Sequence, residues 1–373
     1  MKKILHITNW YPNKWNDIEA IFIQEQFRLF STITDSSIIN IQVRPSDKWM
    51  EYKHIKYSDN EEGYYLLTKI KSNKIIELIT SFLLIFVLFK SNYKRYDLLH
   101  FHIAYPLLTY YHLWKKIIKI PLIISEHWSA YHFNFYMPKD TKKLDNIKRI
   151  FRQNIPLICV SKALVEDIEV FANATFRYYI LPNVIDMDYF YLRQDYIKRD
   201  IPRFFAVNNW RDIKNPFEML DGFLELHNSN IDFILVIGGY GELMDDIKSF
   251  VYTNNMTEKV IFYGKMDKLQ IADELSQSDA YICSSYYETF SVVSAQALCC
   301  GNVLISPPID AILEYTDDKS HIKIAKDWSK KLQYFIEHRD NYSREYISQM
   351  ASNYLSHKSI QNRYKDIVDE ISR

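Results

Sequence analysis

DFILVIGGYGELMDDIKSFVYTNNMTEKVIFYG, residues 232–264, reads as a strand, a glycine-rich turn, a helix and a second strand. DFILVIGG is apolar at successive positions, the pattern of a strand covered on both faces. A helix from Glu242 then leads to KVIFYG, and a strand, crossover helix and strand imply parallel pairing. The alternation extends upstream through RFFAVNN (203–209) and a helix at Pro216–His227. Downstream it continues through a helix from Lys268, AYICSS (280–285) and a helix from Thr289. The first half repeats it: KILHIT, a helix at Ile21–Ser31, SIINIQV, a helix at Ile75–Lys90, DLLHFHI and PLIISEH. Two such sets predict an α/β protein with two Rossmann-like domains. Pro182 follows the strand-like YYIL and places the boundary there. The expected domains are residues 1–182 and 183–358.

Length and composition agree with two domains. The 373 residues, 48% hydrophobic and 25% charged, exclude wholesale disorder. Forty-six basic residues balance 46 acidic ones, which argues against a dedicated nucleic-acid binder. The balance hides an asymmetry: residues 1–182 carry 25 basic and 17 acidic side chains, a net of +8, leaving −8 for the rest. The first half therefore suits an anionic partner. Cys159, Cys283, Cys299 and Cys300 form no CxxC pair and read as reduced core thiols of a cytoplasmic protein. The N-terminus is too short in apolar residues for a signal peptide, and Leu78–Phe89 falls well below the roughly 20 residues of a membrane span.

Five of the seven glycines (Gly238, Gly239, Gly241, Gly264, Gly301) sit at strand ends or turns of the second half. In VIGGYGE the turn before a helix can present backbone N–H groups to a phosphate. In SSYYETFSVVSAQALCCG, Glu288 follows a strand and precedes a helix expected to carry Phe290 to Cys300. Gln296, eight residues on, is then expected near the same helix face.

These segments, in order, resemble glycosyltransferase family 4. NWYPNKWNDIEAIFIQEQ is similar to that family's first strand, loop and helix, and LICVSKAL and ILPNVIDMDYF to its interdomain signatures. VNNWRDIKN, VIGGYGE, VIFYGKM and ETFSVVSAQALCCGNVLIS follow in family order. The resemblance implies a GT-B fold, two Rossmann-like domains facing a central cleft, with a final helix at about 359–373 packing back on the first. It implies retaining transfer of a sugar from a nucleotide diphosphate sugar, a UDP- or GDP-sugar, to a glycan or lipid-linked acceptor hydroxyl. Cell-envelope polysaccharide or glycolipid synthesis is the implied setting.

By the same resemblance, Glu288 is the first glutamate of the E-x7-E motif and Gln296 replaces the second, while Lys214 is the diphosphate-binding lysine. Asn209 stands where an arginine is usual, with Arg211 as a substitute cation. Gly239, Gly241, Lys265 and Phe290 fall among the donor contacts, and Ala20 and Ser291 replace common glycines. His127 is expected near the reacting sugar, and His102 and Trp128 on the acceptor side. No DxD-like pair calls for a metal, and no cofactor is expected. Asn209 and Gln296 leave open a catalytically eroded GT-B partner, and an epimerase or phosphorylase on this fold is a third reading. The basic, apolar segments Lys74–Arg95 and Lys139–Arg152 point to peripheral binding at the inner face of an anionic membrane. Packing of Leu78–Phe89 into the core is the competing expectation for that run.

Overall fold

The apolar runs become strands, and the helices between them return the chain so that paired strands lie parallel outside one hairpin. The structure, a computed structural model, describes residues 1–16, 19–138 and 141–372. Two units divide the chain, Met1–Val184 with His357–Arg373, and Ile185–Ser356. These divisions lie two residues from the expected ones.

The first unit opens with β1 (Lys3–Thr8), α1 (Ile21–Ser31) and β2 (Asp35–Pro45). A hairpin of β3 (Met50–Lys56) and β4 (Glu61–Thr68) follows, then α2 (Asn73–Lys90). Next come β5 (Leu98–His102), α3 (Tyr111–Trp114), β6 (Leu122–Glu126) and α4 (Lys142–Phe151). β7 (Leu157–Cys159), α5 (Lys162–Ala172) and β8 (Tyr178–Ile180) complete the sheet, in the order β3-β4-β2-β1-β5-β6-β7-β8. The antiparallel hairpin lies outside the expected alternation. Its edge strand MEYKHIK alternates exposed and half-buried residues, too polar to read as a covered strand.

The second unit contains β9 (Arg203–Asn209), α6 (Pro216–Asn228), β10 (Ile234–Tyr240) and α7 (Met244–Thr253). It continues with β11 (Val260–Gly264), α8 (Lys268–Gln277), β12 (Ala280–Ile282) and α9 (Val292–Cys299). β13 (Val303–Ser306), α10 (Asp310–Leu313), β14 (His321–Lys323), α11 (Trp328–His338) and α12 (Arg344–Leu355) close it. The strands run β11-β10-β9-β12-β13-β14, all parallel. α13 (His357–Ile371) returns to the first unit, where Ile360, Tyr364 and Val368 join Ile4, Leu98 and Ile123 in the core. The Tyr364 ring stacks on Phe30 at 3.7 Å.

Both sheets reverse strand order beside their first strand, between β1 and β5 and between β9 and β12. In open α/β sheets that reversal opens a crevice beyond the carboxyl ends of the strands, where ligands bind. All four cysteines are buried and free.

Candidate active site

The reversal point of the second sheet is spanned by an ion pair. Beyond β9 a single 3-10 turn, Asp212–Lys214, and Asn215 in the left-handed region (φ 44°) lead to Pro216 at the first position of α6. This turn sets Lys214 at the carboxyl end of β9. Its Nζ donates to Oε1 of Glu288, 2.6 Å away, on the loop beyond β12. Ser285 Oγ donates to the same carboxylate oxygen at 2.7 Å, and Ser284 Oγ to the Lys214 carbonyl at 2.6 Å. The Tyr286 N–H reaches the Ile213 carbonyl at 2.9 Å, so the loops are joined through backbone as well as charge. The Lys214 and Glu288 side chains are 15% and 16% exposed, dry enough to strengthen the pair and open enough for a ligand to reach. Ser284 and Ser285 escaped the sequence reading, although their place at the end of AYICSS is the signal that finds them.

The helix after Glu288 begins at Val292, not Thr289, so Glu288 and Gln296 share no helix face. Ser291 explains the late start: it sits at φ 65°, a left-handed conformation that glycine adopts without strain. Gln296 is half-buried within α9. Phe290 is a core residue whose ring packs 5.1 Å from Tyr315, while its carbonyl accepts the Tyr315 hydroxyl at 2.6 Å. Only its backbone remains for a ligand. Asn209, Arg211 and Lys265 are exposed, Asn209 as the last residue of β9 and Lys265 just beyond β11. Gly239 and Gly241 have a structural requirement of their own. Both have positive φ, and a Cβ on either would collide with the backbone carbonyl of Asn208 or Trp210. The Trp210 indole donates to the Gly238 carbonyl at 2.8 Å and fixes this turn against β9.

In the first unit, Ala20, His127 and Trp128 gather at the carboxyl ends of β1 and β6. Ala20, at the start of α1, has φ 49°. The His127 ring lies 4.7 Å from Phe22 with the Asn183 side chain close by, while Trp128 packs edge-on to Trp10 at 4.9 Å. Burial drives the His127 pKa down to about 3, so the ring is neutral and suited to orienting a hydroxyl rather than supplying positive charge.

His102, expected on the acceptor side, is wholly buried, and its Nε2 lies 3.0 Å from Nδ1 of His6 in a hydrogen bond. β5 pairs with β1 in a register that turns both rings into the core. Glu126, missed in sequence, ends β6 beside His127 and accepts from the Ala104 N–H and the Tyr131 hydroxyl, each at 2.7 Å. Burial raises its pKa to about 7.

His6, His100 and His102 bring one ring nitrogen each within 4.8 Å of one another. The His100 and His102 rings are stacked 4.3 Å apart at 23°, so their in-plane lone pairs do not converge on one point. Both His100 nitrogens are also engaged, by the Tyr364 hydroxyl at 2.9 Å and Ser125 Oγ at 2.7 Å. The three rings are hydrogen-bonded core side chains.

Two Rossmann-like α/β units with these sheets define the GT-B fold. Its solved examples include sucrose-phosphate synthase from Thermosynechococcus elongatus, TM-score 0.75 and 15% identity over 100% of this chain and 99% of that one. Anabaena HepE in complex with UDP and glucose superposes with TM-score 0.73 and 11% identity over 99% of this chain and 100% of its own. Residues 192–353 match the family model for glycosyl transferases group 1. N-acetyl-alpha-D-glucosaminyl L-malate synthase of Bacillus anthracis is 23% identical over 231 residues, 59% of each chain.

Proposed function

We propose that this chain is a retaining glycosyltransferase of family 4 type that moves a sugar from a nucleotide diphosphate sugar to an acceptor hydroxyl in cell-envelope polysaccharide or glycolipid synthesis. The observation that carries the reading is the Lys214–Glu288 pair at the reversal point of β9 and β12, inside the stretch that matches the group 1 model. The binding of UDP and glucose by HepE, a protein of the same fold, supports a nucleotide-sugar donor.

An arriving diphosphate competes with Glu288 for the Lys214 ammonium. Lys214 then neutralises the charge that grows on the leaving group as the glycosidic bond breaks. Glu288, released from the pair, is free to accept hydrogen bonds from sugar hydroxyls. The first turn of α9 adds backbone N–H groups and the positive end of a helix dipole. Gln296 serves the ribose hydroxyls as donor and acceptor, and His127 orients the acceptor.

Release of nucleoside diphosphate by the purified chain, across UDP- and GDP-sugars with glycan and lipid-linked acceptors, tests the reading. Acceptor-dependent release that falls at least about a hundredfold in Glu288→Ala supports it. Donor binding without turnover on any acceptor is the result of an eroded partner, and turnover equal with and without acceptor points to an epimerase-like reaction.

A further inference from the structure

α2 departs from the usual pattern of a surface helix, whose outward face is polar. Ile75, Leu78, Phe82, Phe86 and Phe89 are all exposed, Phe82 to 65% and Phe86 to 53%. At about 100° per residue they fall within about 80° of one another and form one stripe. Leu84, Val87 and Leu88, on the opposite side, are among the buried residues that pack into the unit. The helix therefore has two apolar faces, and packing into the unit uses one. Core packing of Leu78–Phe89, weighed from sequence, holds for that inner face alone.

Charge around the stripe is mainly basic. Lys74 and Lys90 lie at its ends, and Glu77, the carboxylate of this helix, is buried and accepts the Tyr105 hydroxyl at 2.6 Å. Beside the start of α2 lies a depression of 470 Å³ walled by Lys74, Lys142, Lys143 and Arg149, with Glu77 and Asp145 among its lining. Lys143 itself lies 5.5 Å over the Tyr105 ring, and other cations of the basic segment are engaged elsewhere. Lys148 lies 5.6 Å over the Phe171 ring, Arg152 donates to the Ala172 carbonyl, and Lys139 lies outside the described residues. No described helix is long and apolar enough to cross a membrane.

We infer that this face of the first unit docks on an anionic phospholipid bilayer. The α2 stripe enters the boundary between headgroups and acyl chains, and the basic depression seats a lipid phosphate. An apolar stripe edged by lysines is the pattern of a helix lying in the plane of that boundary. A second copy of the chain is a poorer occupant, because antiparallel pairing through the stripe sets Lys74 against the lysine at the far end of the other helix. Anionic lipid turns the same charges into attraction. The docking stands on this surface and is independent of the transfer reaction.

The test is co-sedimentation of the full chain at low salt with phosphatidylglycerol–phosphatidylcholine vesicles and with phosphatidylcholine alone. Binding is expected to the anionic vesicles and to fall steeply with salt. Phe82→Ser with Phe86→Ser, both exposed, should weaken it at least about tenfold with the melting temperature retained. Neutralising Lys142, Lys143 and Arg149 to Gln should weaken it on the order of a hundredfold. No pelleting with anionic vesicles, equal binding to phosphatidylcholine, or indifference to either set of substitutions overturns the inference. So does a dimer in sedimentation velocity that Phe82→Ser dissociates.

Discussion

Acid should open the first unit before the second. His6, His100, His102 and His127 are buried there, and burial holds His6 and His127 near pKa 3 and the other two well below 6.5. A histidine kept neutral in the folded state is protonated in the unfolded chain once the pH falls below about 6.5. Its contribution is therefore complete above that pH and lost on acidification. Moving from about pH 8 to about pH 5.5 removes roughly 1.4 kcal/mol per histidine, or about 5.5 kcal/mol for four. Glu126 works the other way. With its pKa raised from 4.5 to about 7, the folded state takes up a proton that the unfolded chain does not, returning roughly 2 kcal/mol over the same interval. The net loss is about 3 to 4 kcal/mol, a large share of the stability of an ordinary domain. In the second unit His321, lowered to about 4 by burial, loses only about 1.4 kcal/mol by the same arithmetic. Hydrogen exchange read by mass spectrometry, with rates corrected for pH, resolves the two. Protection of β1 and β5 peptides should fall by about two to three powers of ten between the two pH values, against about one for β9 and β10. Equal losses in both units, or earlier opening of β9, would refute the reasoning.

Other perturbations have equally defined outcomes. Ala20→Gly relieves a left-handed alanine at about 1–2 kcal/mol, less the roughly 0.5–1 kcal/mol by which glycine favours the unfolded chain, so a gain of about 0.5 kcal/mol in denaturant unfolding is expected. A loss of stability would mean that Ala20 is not strained. Gly241→Ala should cost at least about 2 kcal/mol in the same assay, because the new Cβ meets the Trp210 carbonyl; a neutral result would contradict the close approach. His127→Ala should leave donor affinity within about twofold while transfer falls at least about a hundredfold. Parallel loss of both would assign His127 a structural task.

The parallel strands were legible because apolar runs and intervening helices have different periods, and α1 and β9 begin and end where the pattern places them. The β3–β4 hairpin was not, since an edge strand that alternates charge with half-buried residues lacks the apolar run of a covered one. Of the site, Glu288 could be singled out by its place after a strand and Lys214 by the family resemblance, but their mutual contact depends on a non-local register. The late start of α9 was hidden because SVVSAQAL is helix-compatible from its first residue, and only backbone geometry shows Ser291 in the left-handed region. His102 misled for a related reason: a strand-end histidine carries no mark of which face it occupies until its neighbours are known.

Binding of nucleoside diphosphates to the full chain, followed by titration calorimetry with UDP and GDP, tests the donor site most directly. One of the two should bind, and Lys214→Ala should weaken that binding at least about tenfold while leaving the melting temperature of the unliganded protein within a few degrees. Binding unchanged by Lys214→Ala, or no binding of either nucleotide to the parent chain, would contradict the assignment of the Lys214–Glu288 pair to the donor.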